Sequence, residues 1–442
     1  MSRADRRGMC VSGASDKAVD RFEEALADLL RGTGDPLAGI AAAIADSPAF
    51  AMAHALEAYV LLSGLDAGDA GRAGEIVETL RAAACTDREK LHAAAIAAYA
   101  AGDLDDAAER LEDVLIEHPR DVLALRQAHL LDLCRGDARS LRDRVARFRY
   151  AWAPGLAGYH AVLAMHALGL EECGDLAQAE DLGHEALALE PRDGWAHHAV
   201  AHVLEAAGRH EEGIAWTRDA EAARAEDSVL AVHNWWHGAL HHLALDQVSE
   251  AVAIFDERIR TGGTGGRADL VDASALLWRL ALRGVDLGQR WSALAEAWAP
   301  SVCDGWYAHS DAHAMMAFVG AGRWDLADQI LATMRRRTER GGSNRAMTRD
   351  VGLPLARALY AFGRRDHTAA VALLRTLRPL APRLGGSHVQ RDVIDLTLLE
   401  AARRDGQMGL LRALAHERLA AKPETALARR YLDAAAGARY AA

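Results

Sequence analysis

Few features of this chain point to covalent or membrane architecture. Only five of its 442 residues are cysteine. Cys10, Cys85, Cys134, Cys173 and Cys303 form no CxxC pair, which excludes a disulfide-stapled secreted scaffold and leads us to expect a reducing, cytoplasmic setting. Aromatic residues are 5% of the chain, which favours alanine-rich stacked helices over a sheet-rich core. No apolar run approaches the ~20 residues of a membrane span. The basic start Met1-Ser2-Arg3-Ala4-Asp5-Arg6-Arg7 is followed by no apolar stretch, so no secretion signal is expected. A basic excess is also missing: 51 Lys and Arg face 63 Asp and Glu, a net charge of −12. That balance disfavours nucleic acid and anionic membrane as partners. No GxSxG elbow, phosphate loop or Rossmann glycine run is present.

What the chain does have is self-similarity. Gly102-Asp103-Leu104 opens a unit in which Ala107 stands twelve residues before Pro119, and Gly174-Asp175-Leu176 repeats this with Ala179 and Pro191. Ala370 before Pro382 and Leu411 before Pro423 are looser copies. Gly208…Gly213 and Gly322…Ala327 repeat the first half. A glycine can end a first helix in the left-handed region, a small residue allows close helix approach, and proline stops the second helix. Aligning Gly102, Gly136, Gly174, Gly208, Asp246 and Gly322 gives intervals of 34, 38, 34, 38 and 76, the last being two units with Leu270–Gly284 between. A period near 34 is that of tetratricopeptide repeats. The expected fold is therefore all-α, a tetratricopeptide-like α-solenoid coiled as a right-handed superhelix. It is expected to form one domain over residues 16–442, after a disordered segment 1–15. Glycine-rich residues 261–266 and the stretch Arg340-Gly341-Gly342-Ser343-Asn344 read as loops, each either a lid or an ordinary surface connection.

Twenty histidines are unusually many, and they gather in the middle repeats. Counted back from the aligned helix ends, His198 and His202 fall at −10 and −6, and Glu205 at −3. His233 and His237 fall at −13 and −9, and so do His309 and His313. These offsets differ by three or four, so they share one helical face. First helices of such repeats line the concave groove, and imidazoles from three of them are expected to meet there. Imidazole binds metals and titrates near neutrality, and His-x3-His can place two nitrogens on one ion. The HExxH signature is absent, since Ala199 occupies the glutamate position.

The other reading of each residue is structural. Buried histidines often bond a carbonyl or carboxylate between helices, and His233 and His309 lie near helix starts, where they can cap. His241 and His242 fall off the stripe and read as packing; His184, His210 and His367 read as surface. Trp195, Trp235, Trp236, Trp278 and Trp291 read as core, with Trp235 and Trp236 as candidates to line a pocket. Asp269 reads as a helix cap. Asp272 and Arg279, seven apart, read as a buried ion pair or as groove residues. In Gly385-Gly386-Ser387-His388-Val389-Gln390-Arg391-Asp392, Ser387 can cap a helix.

At these residues the chain resembles the tetratricopeptide repeat protein 38 family. The resemblance rests on Asp193-Gly194-Trp195-Ala196-His197-His198 through His202 to Glu205, and on His233-Asn234-Trp235-Trp236-His237. Asp269–Ser274 with Leu277-Trp278-Arg279, Arg290-Trp291, Asp311-Ala312-His313, Gly352-Leu353-Pro354 and Gly385–Asp392 continue it. Upstream, Arg88-Glu89 with His92, and His118-Pro119 with Asp121, also match. It runs from about residue 40 to the end, departs at Val389, where the family more often has alanine, and implies a full-length superhelix but no reaction.

Two functions follow. In the first, the groove binds a small polar molecule, with or without a divalent transition metal and with or without catalysis. His198, His202, His237 and His313 would be metal ligands. His202, His237, Asp311 and Glu205 would be catalytic groups, with Asp311 orienting His313. His198, His233, Trp235, Trp236, Asp272, Arg279 and His313 would bind the ligand. In the second, the groove holds a peptide or protein without catalysis. The scarcity of lysine argues against a carboxylate clamp of the Lys/Asn type.

Overall fold

The computed structural model describes residues 3–83, 86–223, 228–260, 266–422 and 426–440. The fold is all-α and tetratricopeptide-like: antiparallel helix pairs follow one another along the chain. Representative pairs are Asp87–Ala100 with Leu104–Glu117, Tyr159–Glu172 with Leu176–Leu189, and Ala308–Gly320 with Trp324–Arg337. Every aligned helix end adopts the left-handed backbone, including Gly102, Gly136, Gly174, Gly208 and Gly322 at φ +77°, +67°, +86°, +73° and +67°. Asp246 holds the same turn at φ +61° without being glycine. The next helix then starts on a side-chain cap in many repeats, as where Asp103 accepts from the Asp106 amide and Asp121 from that of Ala124. The small residues of the repeat, Ala107, Ala179, Ala327 and Ala370, have no exposed surface, as the close helix crossing requires.

Contacts divide the expected single domain of residues 16–442 into two compact units. The first comprises Met1–Val203, Asp219–Ala231 and Gly341–Asn344; the second comprises Leu204–Arg218, Val232–Arg340 and Arg345–Ala442. In the first, Phe22, Phe50, Tyr59 and Tyr99 are fully buried core. In the second, Trp236, Trp278, Trp298 and Phe318 belong to one hydrophobic cluster.

Several expectations are corrected. Residues 3–15 are not disordered: Arg3–Ala4 and Cys10–Val11 pair as a short antiparallel hairpin. Charge pairing is the reason. Buried Arg7 donates to both oxygens of Glu23, and buried Asp5 meets Arg88 at 3.2 Å. Asp269 is not the cap of its helix, which begins at Arg267 after Gly266. His233 and His309 lie inside their helices rather than at the capping position; Tyr307 precedes the His309 helix. Residues 341–344 are tied down, with the Ser343 hydroxyl donating to Asp103 and accepting from the Asp105 amide. Residues 261–265 of the glycine-rich stretch lie outside the described residues, as does Cys85. Among the described residues no helix is long and apolar enough to cross a membrane.

The crossing at Gly169 gives a direct check. A Cβ there would stand 2.6 Å from the Arg142 Cα, a backbone atom that cannot rotate away. Gly169→Ala is expected to cost ~1–3 kcal/mol and to lower the thermal midpoint. Arg365→Gly is expected to raise it, because exposed Arg365 sits at φ +65° and pays the left-handed penalty of ~1 kcal/mol that glycine avoids.

Candidate functional site

Three consecutive first helices of the second unit, Ala231–Ala244, Arg267–Leu282 and Ala308–Gly320, deliver a buried polar cluster. The middle helix lacks histidine and contributes Asp272 and Arg279 instead. The His233 Nδ1–H donates to Asp272 Oδ2 at 2.7 Å. The His233 ring stacks on Trp236 at 5.3 Å, and His237 meets both rings edge-on at 4.9 and 5.0 Å. Arg279 lies 5.2 Å from the Trp236 ring centre, a cation–π contact. Its guanidinium donates to the carbonyls of Ala275 and Val389 at 3.1 and 2.6 Å, not to Asp272. The expected Asp272–Arg279 ion pair is therefore absent: each group has a different partner. Burial lowers the Arg279 pKa to about 10, which leaves it charged at neutral pH.

His313 is fixed by its own helix, its Nδ1–H donating to the His309 carbonyl at 2.8 Å. That bond places the proton on Nδ1 and a lone pair on Nε2. Burial, with Arg279 adding to it, lowers the His313 pKa to about 4. The imidazole is therefore neutral, and its buried Nε2 meets no hydrogen-bond partner among the described residues, nor does Asp272 Oδ1. The electrostatic influence of Asp272 and Arg279 on His313 marks the three as neighbours. The cluster thus offers two bare acceptors beside one cation.

Other candidates lie elsewhere. Asp311 is two residues from His313, on another face of the helix, in the field of Arg267, Asp304 and Arg337; burial raises its pKa to about 7. It does not orient His313, whose Nδ1 is already taken. Burial favours a neutral Glu205, but Lys422 at 2.7 Å holds its carboxyl below the ordinary value. Trp235 packs under Arg258 at 4.8 Å. His241 is buried against His210 (Nδ1 to Nδ1, 3.2 Å) and over Gly213, where a Cβ would strike its ring. His241 is packing, as expected, and His210 is half-buried by this contact rather than a plain surface residue. Ser387 caps as expected, in a capping box with Gln390.

In the first unit His198 and His202 pack edge to face at 4.5 Å. His202 Nδ1 lies 3.1 Å from Glu171 Oε2. Ligand atoms of Glu171, Glu172 and His202 all lie within 4.8 Å of one another. Reading the sequence missed Glu171, although it stands at −3 from Gly174, the register Glu205 holds before Gly208. It also passed over the partners of His92. That ring bonds the Tyr59 hydroxyl at 3.0 Å and Asp121 at 2.9 Å, and Asp121 also accepts from Arg88 at 2.6 Å. His92 sits at −10 from Gly102, the register of His198, which was the available signal.

These shifts set the pH dependence of stability. His313 titrates lower in the folded protein than unfolded, so its penalty appears as pH falls from ~6.5 to about 4 and levels off below. Asp311 titrates higher when folded, so its penalty grows as pH rises from ~4 to about 7 and then levels off. Thermal midpoints across this range should show His313→Asn flattening the acid limb. Asp311→Asn should stabilise increasingly up to pH ~7.

No family model matches the chain. Over 180 residues it is 29% identical to "Cellulose synthase 2 operon protein C" of Komagataeibacter xylinus, a match covering 41% of this chain and 13% of that protein. The chain thus spans only a small part of that relative. Among solved structures it is similar to the APC/C hetero-tetramer Cut9–Hcn1, at 12% identity and TM-score 0.40, covering 95% of this chain and 76% of that one. A second is Naa15/Naa10 bound to HypK-THB, at 12% identity and TM-score 0.25, covering 93% and 64%. The P58(IPK) TPR domain matches at 15% identity and TM-score 0.19, covering 88% and 99%.

Proposed function

We propose that this is a tetratricopeptide-like binding protein whose second unit holds a small polar molecule at the cluster of His233, Trp236, His237, Asp272, Arg279 and His313. One observation carries the reading: three successive repeats bring an imidazole, a carboxylate and a guanidinium together, with His313 Nε2 and Asp272 Oδ1 left as buried acceptors. An acceptor buried without a donor costs ~1–3 kcal/mol. A ligand with hydrogen-bond donors, or a divalent transition metal, would remove that cost. In the metal version the i,i+4 pairs are the ligands: His233 with His237, and in the first unit His198 with His202, their ring nitrogens within 4.8 Å in each pair. The reading assigns no catalytic role, because Glu205 is held by Lys422 and Asp311 lies on another face of its helix from His313. The kinship we infer with the tetratricopeptide repeat protein 38 family is supported by the same residues, since its motifs include His233–His237, Asp272, Arg279 and Asp311–His313. A reducing cytoplasm suits Cys173 and Cys303, both free thiols.

The alternative is a scaffold that holds a peptide or protein and uses the cluster only for packing; His129, buried and donating to the Met165 carbonyl at 2.8 Å, is the model for that. Native mass spectrometry and metal analysis of untagged full-length protein separate the two. The binding reading expects a co-purifying small molecule, lost in Asp272→Asn and His313→Asn proteins that keep their circular dichroism, or bound metal, lost in a His237→Asn protein that does the same. A protein with no adduct, and with no affinity for zinc, iron or manganese, overturns it. Partner pulldown left unchanged by both variants would then favour the scaffold.

A further inference from the structure

Beside the cluster, still within the second unit, lies an open cavity of about 80 Å³. Its polar lining includes Glu205, Arg279, Asp392, Arg418 and Lys422, and Leu240, Leu243, Val389 and Leu396 supply an apolar wall. Lys422 is one of only three lysines in the chain. The two carboxylates are both engaged: Asp392 takes a fork from Arg418 at 2.7 and 2.8 Å, and Glu205 takes Lys422. Arg283, also in the lining, is paired with Asp246 at 2.9 Å, which leaves Arg279. It is 4% exposed and bonds only carbonyls and the Trp236 face; no carboxylate lies within ion-pair distance of it among the described residues. A buried guanidinium without a counter-ion is costly in a folded protein. Two further polar atoms of the lining residues, Arg418 Nε and Glu205 Oε2, are buried with no hydrogen-bond partner. One is a donor and the other an acceptor.

We propose that this cavity binds a small carboxylate that carries a hydroxyl or ammonium donor. The carboxylate would face Arg279 and Arg418, the donor Glu205, and the carbon body the leucine wall. A guanidinium fork suits a carboxylate and a phosphate alike. Two considerations favour the carboxylate. Asp392 and Glu205 repel a dianion more than a monoanion, and the volume holds on the order of five water-sized groups, which fits a two-carbon hydroxy acid. The inference adds a ligand class to the reading of the second unit as a small-molecule site, with which it shares Arg279. It depends on none of the histidines.

Titration calorimetry of the full-length protein with glycolate, acetate and inorganic phosphate at constant ionic strength tests it. Glycolate should bind at one site, roughly tenfold more tightly than acetate, the worth of one hydrogen bond to a charged acceptor. Arg418→Gln should weaken glycolate binding at least about tenfold. Glu205→Met should close the gap between glycolate and acetate. If Arg418→Gln does not fold, Arg418→Lys, which keeps the charge and loses the fork, carries the same expectation of weakened binding. Heat-silent titrations with both carboxylates, equal binding by the cationic-residue variant, or binding of phosphate alone each overturn the proposal. Glycolate binding that survives His313→Asn, in a protein without any histidine-dependent adduct, would uphold the cavity and count against the histidine cluster.

Discussion

A first helix packed between its neighbours has almost no face left for water, so each polar side chain it carries must be satisfied by the next repeat. The helix Ala308–Gly320 shows the limit, with residues 308–319 all buried. The histidines obey the rule with a regular span. His92 reaches Asp121, His129 the Met165 carbonyl, His160 Asp193, His202 Glu171 and His233 Asp272, across separations of 29, 36, 33, 31 and 39 residues. Each is about one repeat. Imidazole suits this work because it is long enough to cross between helices and neutral enough to be buried at modest cost. The same bonds fix helix against helix.

The repeat was legible in the sequence because its demands are local. A left-handed turn asks for glycine, a close crossing for a small residue, a helix stop for proline, and each leaves its mark at a fixed offset. The histidine stripe was legible in the same way, as a shared helical face. The partners were not. Whether Asp272 meets Arg279 or His233 depends on the rotation of one helix against another, and two residues seven apart on a face say nothing of that. Asp311 illustrates a related failure: two positions from His313 is adjacency in sequence but a different side of the helix. The N-terminal segment misled for a third reason. Chain termini are commonly poorly ordered, whereas here Arg7, Asp5, Glu23 and Arg88 pair with one another in the interior.

If inter-repeat bonding explains most of the histidines, a functional claim has to rest on the polar atoms it fails to explain. His129 is buried, depressed to a pKa of about 3 by burial, and bonded to a carbonyl; packing accounts for it. His313 is equally buried and equally neutral, yet its bond to the His309 carbonyl uses one nitrogen and presents the other's lone pair to no protein donor. Asp272 likewise spends one oxygen on His233 and keeps the second bare. The difference between the two histidines lies in this residue, not in burial or in pKa.

Arg279 joins the two arguments. The chain carries twelve more acids than basic residues, so a buried arginine could readily have been given a carboxylate; at Arg418 and Arg7 it was. At Arg279 the neighbours are carbonyl oxygens and an indole face, which accept hydrogen bonds and soften the charge but do not neutralise it. Asp392, Glu205 and Asp272 stand near enough to be felt, and each is committed to another partner. The guanidinium therefore faces a histidine–carboxylate cluster on one side of its bonding and an anion-deficient cavity on the other, and a ligand arriving at either would change the field felt by both.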